Sequence, residues 1–102
     1  MTSDASSITP RQVAEWMAAQ IEEEGELVQR AAARQIQGLF GDGFITYDPA
    51  GDPGIHRRVL YQFKKITGDS VVWVAVQGSW LDGFWRLRHA DDRPGRLQYF
   101  YR

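Results

Sequence analysis

Residues 52–88, with the sequence DPGIHRRVLYQFKKITGDSVVWVAVQGSWLDGFWRLR, decide the fold of this chain. Their first part predicts a helix over residues 53–66. The apolar face of that helix consists of residues at helical spacing, Ile55, Val59, Phe63 and Ile66. Gly68 then interrupts the pattern, and β-forming residues follow at 71–76 and 84–88. A helix that leads into a two-stranded ribbon is the centre of a winged helix. We therefore predict an α+β, winged-helix-like fold in which three helices pack on a small antiparallel β-ribbon or meander.

Length and composition limit the classes of protein to consider. The chain has 102 residues, of which 43% are hydrophobic and 13% aromatic, as expected of one globular domain that buries roughly 60–70% of its unfolded surface. No apolar run approaches the ~20 residues of a membrane span, and residues 1–8 lack the basic and apolar regions of a signal peptide. We expect a disordered leader at residues 1–8, a single winged-helix-like domain at residues 9–102 and a cytoplasmic location. The chain has no cysteine and therefore forms no disulfide.

The two halves of the chain carry opposite charge. Residues 1–52 contain nine acids and three bases, a net charge of −6, whereas residues 53–102 contain four acids and nine bases, a net charge of +5. A basic half can form a surface for an anionic partner. Opposite charges can equally attract each other inside the fold, and the sequence leaves both interpretations open.

The first helix has clear signals at both ends. Thr9 is a natural N-cap, Pro10 occupies the first helical position, and Gln12 completes a capping box. Gly25 suits the position after the last turn. The apolar face consists of Val13, Met17 and Ile21, with Trp16 beside them. Residues 26–28 are then able to add a short strand to a sheet.

A second helix is predicted over residues 30–40, and a long loop separates it from the third. Its apolar face consists of Ala33, Ile36, Leu39 and Phe40, and Gly41 ends it. The loop over residues 41–54 contains a strand-like segment at residues 44–47, a turn at residues 48–51 and Asp52 as the cap of the third helix. A helix-turn-helix uses a turn of three or four residues, so this loop is the main departure from that pattern.

The turn of the ribbon and the end of the chain are less well defined. Asp82-Gly83 is the strongest turn signal, but Gly78-Ser79 competes with it, so the register stays open. In the second strand, Trp85 and Leu87 share one face, and the other face carries Phe84, Arg86 and Arg88. Residues 93–96 have the chemistry of a type II turn, and residues 97–101 form a candidate third strand.

Core aromatics and glycines in a fixed order carry a resemblance to a known family. They are Val13-Ala14-Glu15-Trp16-Met17, Gly25 with Leu27 and Gln29, Ile36 with Phe40-Gly41 and Phe44, Val59-Leu60 with Phe63, Lys65 and Thr67, and Val71-Val72-Trp73 with Trp85-Arg86 and Arg88. This pattern, over about residues 9–88, resembles a family of short bacterial proteins without an established activity, some of which are carried on mobile gene cassettes. The resemblance implies a winged-helix-like fold and no site residues. The order of elements is also similar to the LOTUS type of winged helix, which tolerates a long second connection.

The sequence contains no catalytic or metal-binding constellation. The two histidines, His56 and His89, lie in the first turn of the predicted third helix and just after the ribbon, too far apart to form a zinc site without carboxylates from other loops. Gly41-Asp42-Gly43 follows a helix and lacks the ending of a phosphate-binding loop. Residues 48–52 lack the alternating acids of a calcium loop. We therefore expect a non-enzymatic binding module, with no catalytic, cofactor-binding or metal site.

Basic residues form a constellation with a known binding mechanism. In a winged helix the third helix enters the major groove of DNA and the ribbon contacts phosphates. Arg57 and Arg58 would then contact base edges, and Arg86 and Arg88 would contact phosphates. The candidate nucleic-acid-binding residues are Arg57, Arg58, Tyr61, Lys64, Lys65, Arg86 and Arg88. DNA is therefore one expected partner.

The aromatic residues favour an alternative, a protein-interaction or self-association module. Of Trp16, Trp73, Trp80 and Trp85, we expect two or three in the core. The pair Trp80-Leu81 falls in the turn region, where an exposed apolar pair would contact a partner or a second copy of the chain. The candidate interface residues are Trp80, Leu81, Tyr99, Phe100 and Tyr101. Equally, the turn could bury its pair, and residues 97–101 could complete the core of a monomer.

Overall fold

The computed structural model describes residues 8–76, 79–89 and 98–100, and at residues 76, 79–82 and 98–100 it describes the backbone. The helices are α1 (Pro10–Glu24), α2 (Gln29–Phe40) and α3 (Arg57–Thr67), and a short 3-10 turn covers Asp42–Phe44. The strands are β1 (Glu26–Val28), β2 (Ile45–Tyr47), β3 (Pro53–Ile55), β4 (Val71–Val76), β5 (Ser79–Leu87) and β6 (Gln98–Phe100). The predicted α+β class is confirmed. The leader at residues 1–7, the turn at residues 93–96 and Tyr101 lie outside the described residues.

The larger sheet has the strand order β1-β5-β4-β6. Both β1 and β4 pair antiparallel with β5, so the predicted contribution of residues 26–28 to a sheet is confirmed. By contrast, β6 runs parallel to β4, with Val74 opposite Gln98 and Val76 opposite Phe100. The last strand therefore lies at an edge of the sheet, as its position at the end of the sequence predicts, but it does not continue an antiparallel meander.

Helix α1 has the predicted caps. The Thr9 Oγ1 accepts from the Gln12 N–H at 3.2 Å, and the Gln12 Oε1 accepts from the Thr9 N–H at 2.8 Å, which completes the capping box. At the other end Gly25 adopts φ 88°, and its N–H donates to the Ile21 carbonyl at 2.7 Å. This left-handed conformation favours glycine, and it turns the chain directly into β1.

The core lies between the three helices and one face of the larger sheet. Helix α1 packs against α3, and α2 packs against β3 and β5. The largest fully buried side chains include Met17, Ile21, Ile36 and Val59. Full burial of each such side chain stabilises the fold by about 1.5–3 kcal/mol relative to exposure.

Three of the four tryptophans pack in or against this core, as expected. Trp85 contacts Phe63 in a T-shaped arrangement with ring centroids 5.2 Å apart, and the Trp73 and Trp85 centroids are 4.8 Å apart. Trp16 packs edge-on against Phe40 at 6.1 Å. Such pairs contribute about 0.5–1.5 kcal/mol beyond their buried area.

The loop between α2 and α3 is a β-hairpin, and this corrects the predicted start of the third helix. Pro53 and Ile55 belong to β3, where Pro53 pairs with Tyr47. A proline is accepted there because the hairpin has only two strands, so every strand is an edge. Helix α3 begins at Arg57, with His56 as its N-cap, and the prediction that it begins at residue 53 is wrong.

The predicted cap, Asp52, supports the hairpin instead. Its N–H donates to the Asp48 Oδ1 at 2.8 Å, and the Gly51 N–H donates to the Asp48 carbonyl at 2.8 Å. Its own carboxylate forms an ion pair of 3.2 Å with Arg30 of α2. Long-range strand pairing, which buries Ile55, explains why the helical pattern of this residue was misleading.

Leu39 is 60% exposed, which corrects its predicted place in the core. The buried side chains of α2 come from its first eight residues, ending at Ile36. Phe40 rather than Leu39 extends this face, because its ring packs between Trp16 and Phe44.

The ribbon does not turn at Asp82-Gly83. Strand β4 ends at Val76 and β5 begins at Ser79, so the strongest turn signal lies inside β5. Ala75 pairs with Gly83 while Val76 pairs with Ser79, which leaves residues 80–82 as a bulge. A Cβ on Gly83 would meet the Trp73 ring and the Val74 carbonyl, both at 2.5 Å. Glycine is therefore required by close packing and not by a turn.

Candidate nucleic-acid interface

Helix α3 exposes a basic face because its apolar face fixes its orientation. Val59 and Phe63 are buried against the rest of the core. The exposed side chains on the rest of the helix are Arg57, Arg58, Tyr61, Lys64 and Lys65. We call these five residues the α3 basic face. Four of them are cationic, and the fifth, Tyr61, is 62% exposed.

The beginning of α3 is held by His56. The Arg58 N–H donates to the His56 Nδ1 at 3.0 Å, which satisfies one of the helix's unpaired amide donors. Arg57 and Arg58 follow directly, although cations are unfavourable at the positive end of a helix dipole by a few tenths of a kcal/mol. The cap is an imidazole nitrogen and not a carboxylate, so it places no negative charge beside these two arginines.

Further along the helix, Tyr61 and Lys65 form a pair. The Lys65 Nζ lies 5.3 Å from the centroid of the Tyr61 ring, within the range of a cation–π contact. Such a contact at an exposed site contributes about 0.5–1 kcal/mol and holds both side chains on the same side of the helix. Lys64 and Lys65 lie in the last turn, where cations are favoured by the helix dipole.

A groove of about 480 Å³ joins the start of α3 to the start of α1. It is lined by Pro10, Arg57, Arg58, Tyr61 and Gln62. The predicted base-contacting arginines and Tyr61 are therefore close together in space. The capping box of α1, which begins at Thr9, holds the Pro10 wall of this groove in place.

Arg86 and Arg88 lie elsewhere, beside the end of α1. They line a second groove of about 980 Å³. The Arg86 Nη1 donates to the Leu87 carbonyl at 3.1 Å, and the Arg88 N–H donates to the Ser70 carbonyl at 2.9 Å. Both arginines make further contacts within the protein. The structure therefore places Arg86 and Arg88 in a different groove from Arg57 and Arg58, the arginines at the start of α3.

The separation can be estimated from α1, which extends from one groove to the other. Pro10 lines the first groove and Glu24 the second, a distance of about 21 Å along a helix axis. Arg86 also lies near the base of the ribbon, because it pairs with Val72, whereas Ser79 pairs with Val76, roughly 13 Å further along β4. At the far end of the ribbon, residues 74–83 contain Asp82 and no lysine or arginine.

Ion pairs in the described part of the chain leave the α3 basic face uncompensated. One pair joins Arg11 to Glu15 at 3.3 Å, and the other joins Arg30 to Asp52 at 3.2 Å. Neither involves α3 or residues 22–26. Glu26 does lie directly opposite Arg86 in the β1–β5 ladder, so at this position the acidic and basic halves of the chain come together.

The two histidines are separated in the structure. His56 caps α3, and His89 lines the second groove beyond the end of β5. Within residues 8–76, 79–89 and 98–100, no three histidine, aspartate or glutamate side chains come together as metal ligands would. None of the helices described is both long and apolar enough to cross a bilayer.

The structure describes the candidate interface residues only in part. The backbones of Trp80 and Leu81 lie in the bulged part of β5, and those of Tyr99 and Phe100 lie in β6 at the sheet edge. Their side chains, and Tyr101 altogether, are outside the described residues. Sequence reasoning missed the second groove, because its lining comes from four separate elements.

Fold and surfaces define a small α+β protein with an exposed basic helix. The chain belongs to the family described as Family of unknown function (DUF6953), whose model matches residues 9–82. This match begins where the resemblance in the sequence begins and ends before the last residues of β5. Searches of curated proteins and of solved structures gave no significant match.

Proposed function

We propose that this protein is a non-enzymatic, winged-helix-like module that binds nucleic acid through the α3 basic face. The observation that carries the proposal is the helix itself, with Val59 and Phe63 buried on one side and four exposed cations on the other. Within the described residues no carboxylate forms an ion pair with these cations, so their charge is available to a polyanion. The bacterial cytoplasm, as expected from the sequence, would supply such partners.

The order of elements supports the winged-helix interpretation. Three helices and a ribbon follow one another as α1, β1, α2, α3, β4 and β5, and the short β1 lies beside β5. In this arrangement α3 takes the place of the helix that enters a DNA groove. The hairpin β2–β3 replaces the short turn of a helix-turn-helix between α2 and α3.

The expected binding mode is electrostatic. Four phosphate contacts give a slope of about −3.6 in log K against log salt, which corresponds to a loss of roughly 10²-fold in affinity between 50 and 200 mM salt. The net charge of −1 adds no general attraction, so binding depends on this one surface. Tyr61 adds an exposed ring that is able to stack on an unpaired base.

The test is titration of a fluorescein-labelled mixed-sequence duplex of 20 base pairs at several salt concentrations. Lys64→Ala with Lys65→Ala should weaken binding and reduce the salt slope by about two phosphates. The matched control is Arg11→Ala with Arg34→Ala, which removes the same charge from exposed positions on α1 and α2. Equal effects of the two double variants, or no binding by the wild type at 25 mM salt, would contradict the proposal.

A second candidate function is self-association through β6. The observation that favours it is the place of β6 at an edge of the larger sheet, where in the described part of the chain only β4 pairs with it. An edge strand without charged residues between its ends is a template for pairing with a second copy. Under this alternative the protein is a homodimer that uses Tyr99, Phe100 and the neighbouring candidate residues.

Truncation after Pro94 tests the second candidate. Removal of an interface converts a dimer into a folded monomer, whereas removal of a strand needed by the core lowers the free energy of unfolding. Sedimentation velocity and chemical denaturation measure the two quantities separately. A wild type that sediments as a monomer at 0.5 mM would rule out self-association through β6.

A further inference from the structure

The first groove, between the start of α1 and the start of α3, combines flat rings with cations. It is lined by Pro10, Arg57, Arg58, Tyr61 and Gln62. No aspartate or glutamate is among the described residues that line it, and neither ion pair in the described part of the chain involves its two arginines. The walls therefore offer a proline ring, a tyrosine ring, an amide and two guanidinium groups. Such a set suits a flat, polar group that lies next to a negative charge.

Tyr61 is placed to stack on such a group. Arg57 and Arg58 lie one turn earlier on the same side of α3, because residues three and four apart share a helix face. The Lys65 Nζ lies over the Tyr61 ring, 5.3 Å from its centroid. One ammonium group covers only one face of a ring, and Tyr61 is 62% exposed, so ring surface remains available to a second group.

The cations of the α3 basic face are too far apart to hold a single phosphate. Arg57 and Lys65 are eight residues apart, which corresponds to about 12 Å along the helix axis. Successive phosphates of one nucleic-acid strand are able to follow such a row of cations, whereas the phosphate of a mononucleotide reaches only one end of it. A cationic row beside an exposed aromatic ring is the arrangement that binds single strands in other proteins.

A duplex would use this surface only in part. Its bases are paired and stacked on their neighbours, so the Tyr61 ring reaches a base face only if a base leaves the helix. A duplex-binding winged helix also contacts phosphates through its ribbon. Residues 74–83, at the far end of the ribbon, contain Asp82 and no lysine or arginine. An unpaired strand presents both its bases and its phosphates to α3.

We propose that the α3 basic face binds single-stranded nucleic acid in preference to duplex, with one unpaired base stacked on Tyr61 in the first groove. The neighbouring phosphates lie on the cations of the helix. This inference rests on the proposed function and names its substrate class. Salt screens the phosphate contacts but not the stacking of a base on a ring. The preference for the single strand should therefore increase with the salt concentration.

The test compares the affinities of four fluorescein-labelled ligands of equal length at 25 and 150 mM salt. Two are strands of about 12 nucleotides, an oligothymidylate and an oligouridylate, which distinguish DNA from RNA. The third is an abasic DNA strand, which has the same phosphates but no base to stack. The fourth is a mixed-sequence duplex. At 150 mM salt the protein should bind the preferred base-bearing strand at least fivefold more tightly than the abasic strand and the duplex.

Three variants test the role of Tyr61. Tyr61→Ala should weaken binding of the preferred strand about tenfold, the effect of one base–aromatic stack, and leave the salt slope unchanged. Tyr61→Phe keeps the ring and should bind like the wild type. The matched control is Tyr47→Ala, because Tyr47 is 52% exposed but lies in β2 and does not line the groove. This control should bind like the wild type.

The outcomes separate this inference from the proposed function. Equal affinity of the wild type for the base-bearing strands, the abasic strand and the duplex would overturn the inference alone, since the electrostatic surface would remain. Equal effects of Tyr61→Ala and Tyr47→Ala on strand binding would do the same. No binding of any of the four ligands at 25 mM salt would overturn both the inference and the proposed function.

Discussion

The indole ring of Trp73 lies directly over Gly83. A Cβ built on Gly83 would be 2.5 Å from the Trp73 Cζ2 atom and 2.5 Å from the Val74 carbonyl oxygen. Gly83→Ala therefore forces the Trp73 ring or the β4 backbone to move, and the ring is itself packed against Trp85. We expect a loss of about 1–3 kcal/mol in the free energy of unfolding, as for other overpacked cores, measured by urea denaturation.

Gly38→Ala is the matched control for this substitution. Gly38 lies in α2, is exposed, and has no atom within 4 Å of an added Cβ. Alanine in a helix is more favourable than glycine by roughly 0.5–1 kcal/mol, so this variant should be stabilised. A neutral Gly83→Ala would show that the packing around β5 differs from that described, and a destabilised Gly38→Ala would show that the surroundings of α2 do.

The ends of α1 show what local sequence determines. Thr9, Gln12 and Gly25 act through contacts within four residues, so their residue types were sufficient to predict the helix boundaries. The start of α3 depends instead on the pairing of Ile45 with Ile55, ten residues apart. Asp52-Pro53 has the composition of a helix start, and only this pairing overrides it.

The candidate site follows the same division. The α3 basic face could be predicted because helical periodicity determines which side chains share a face. The separation of Arg86 and Arg88 from Arg57 and Arg58 could not, because it depends on the β4–β5 register. That register in turn depends on the bulge at residues 80–82. The sequence Asp82-Gly83 had predicted a turn at this point.

His56 provides a test of the observed start of α3. Its Nδ1 accepts from the Arg58 N–H, so His56→Ala should destabilise the protein by about 0.5–2 kcal/mol. His56→Asn restores a side-chain acceptor at the N-cap and should recover most of the loss. Thermal denaturation of the two variants measures the difference. If both variants were equally stable, the cap at His56 would contribute nothing to α3.

Asp48 and Asp52 are expected to contribute differently to the hairpin β2–β3. The Asp48 Oδ1 accepts from the Asp52 N–H in a partly buried position, so Asp48→Ala should cost about 1 kcal/mol. The ion pair of Asp52 with Arg30 is partly exposed, since the Asp52 side chain is 44% exposed and the Arg30 side chain 31%. Asp52→Ala should therefore lower the free energy of unfolding by less than Asp48→Ala. Denaturation in 50 mM and 500 mM salt separates them, because only the ion pair is screened.

The distance between the two basic groups makes their contributions to DNA binding separable. A duplex that lies along α3 is in contact with the groove of Arg57 and Arg58, whereas Arg86 and Arg88 lie at the other end of α1, about 21 Å away. Arg57→Ala with Arg58→Ala should therefore reduce the salt slope of duplex binding by about two phosphates. Arg86→Ala with Arg88→Ala should reduce it by less, although the change in net charge is the same.

Stability is the control for these variants. The side chains of Arg57 and Arg58 are exposed, so their double variant should keep its free energy of unfolding within about 0.5 kcal/mol, as measured by denaturation. A larger effect of the Arg86 and Arg88 substitutions would place the nucleic acid on the second groove and exclude α3 as the main contact.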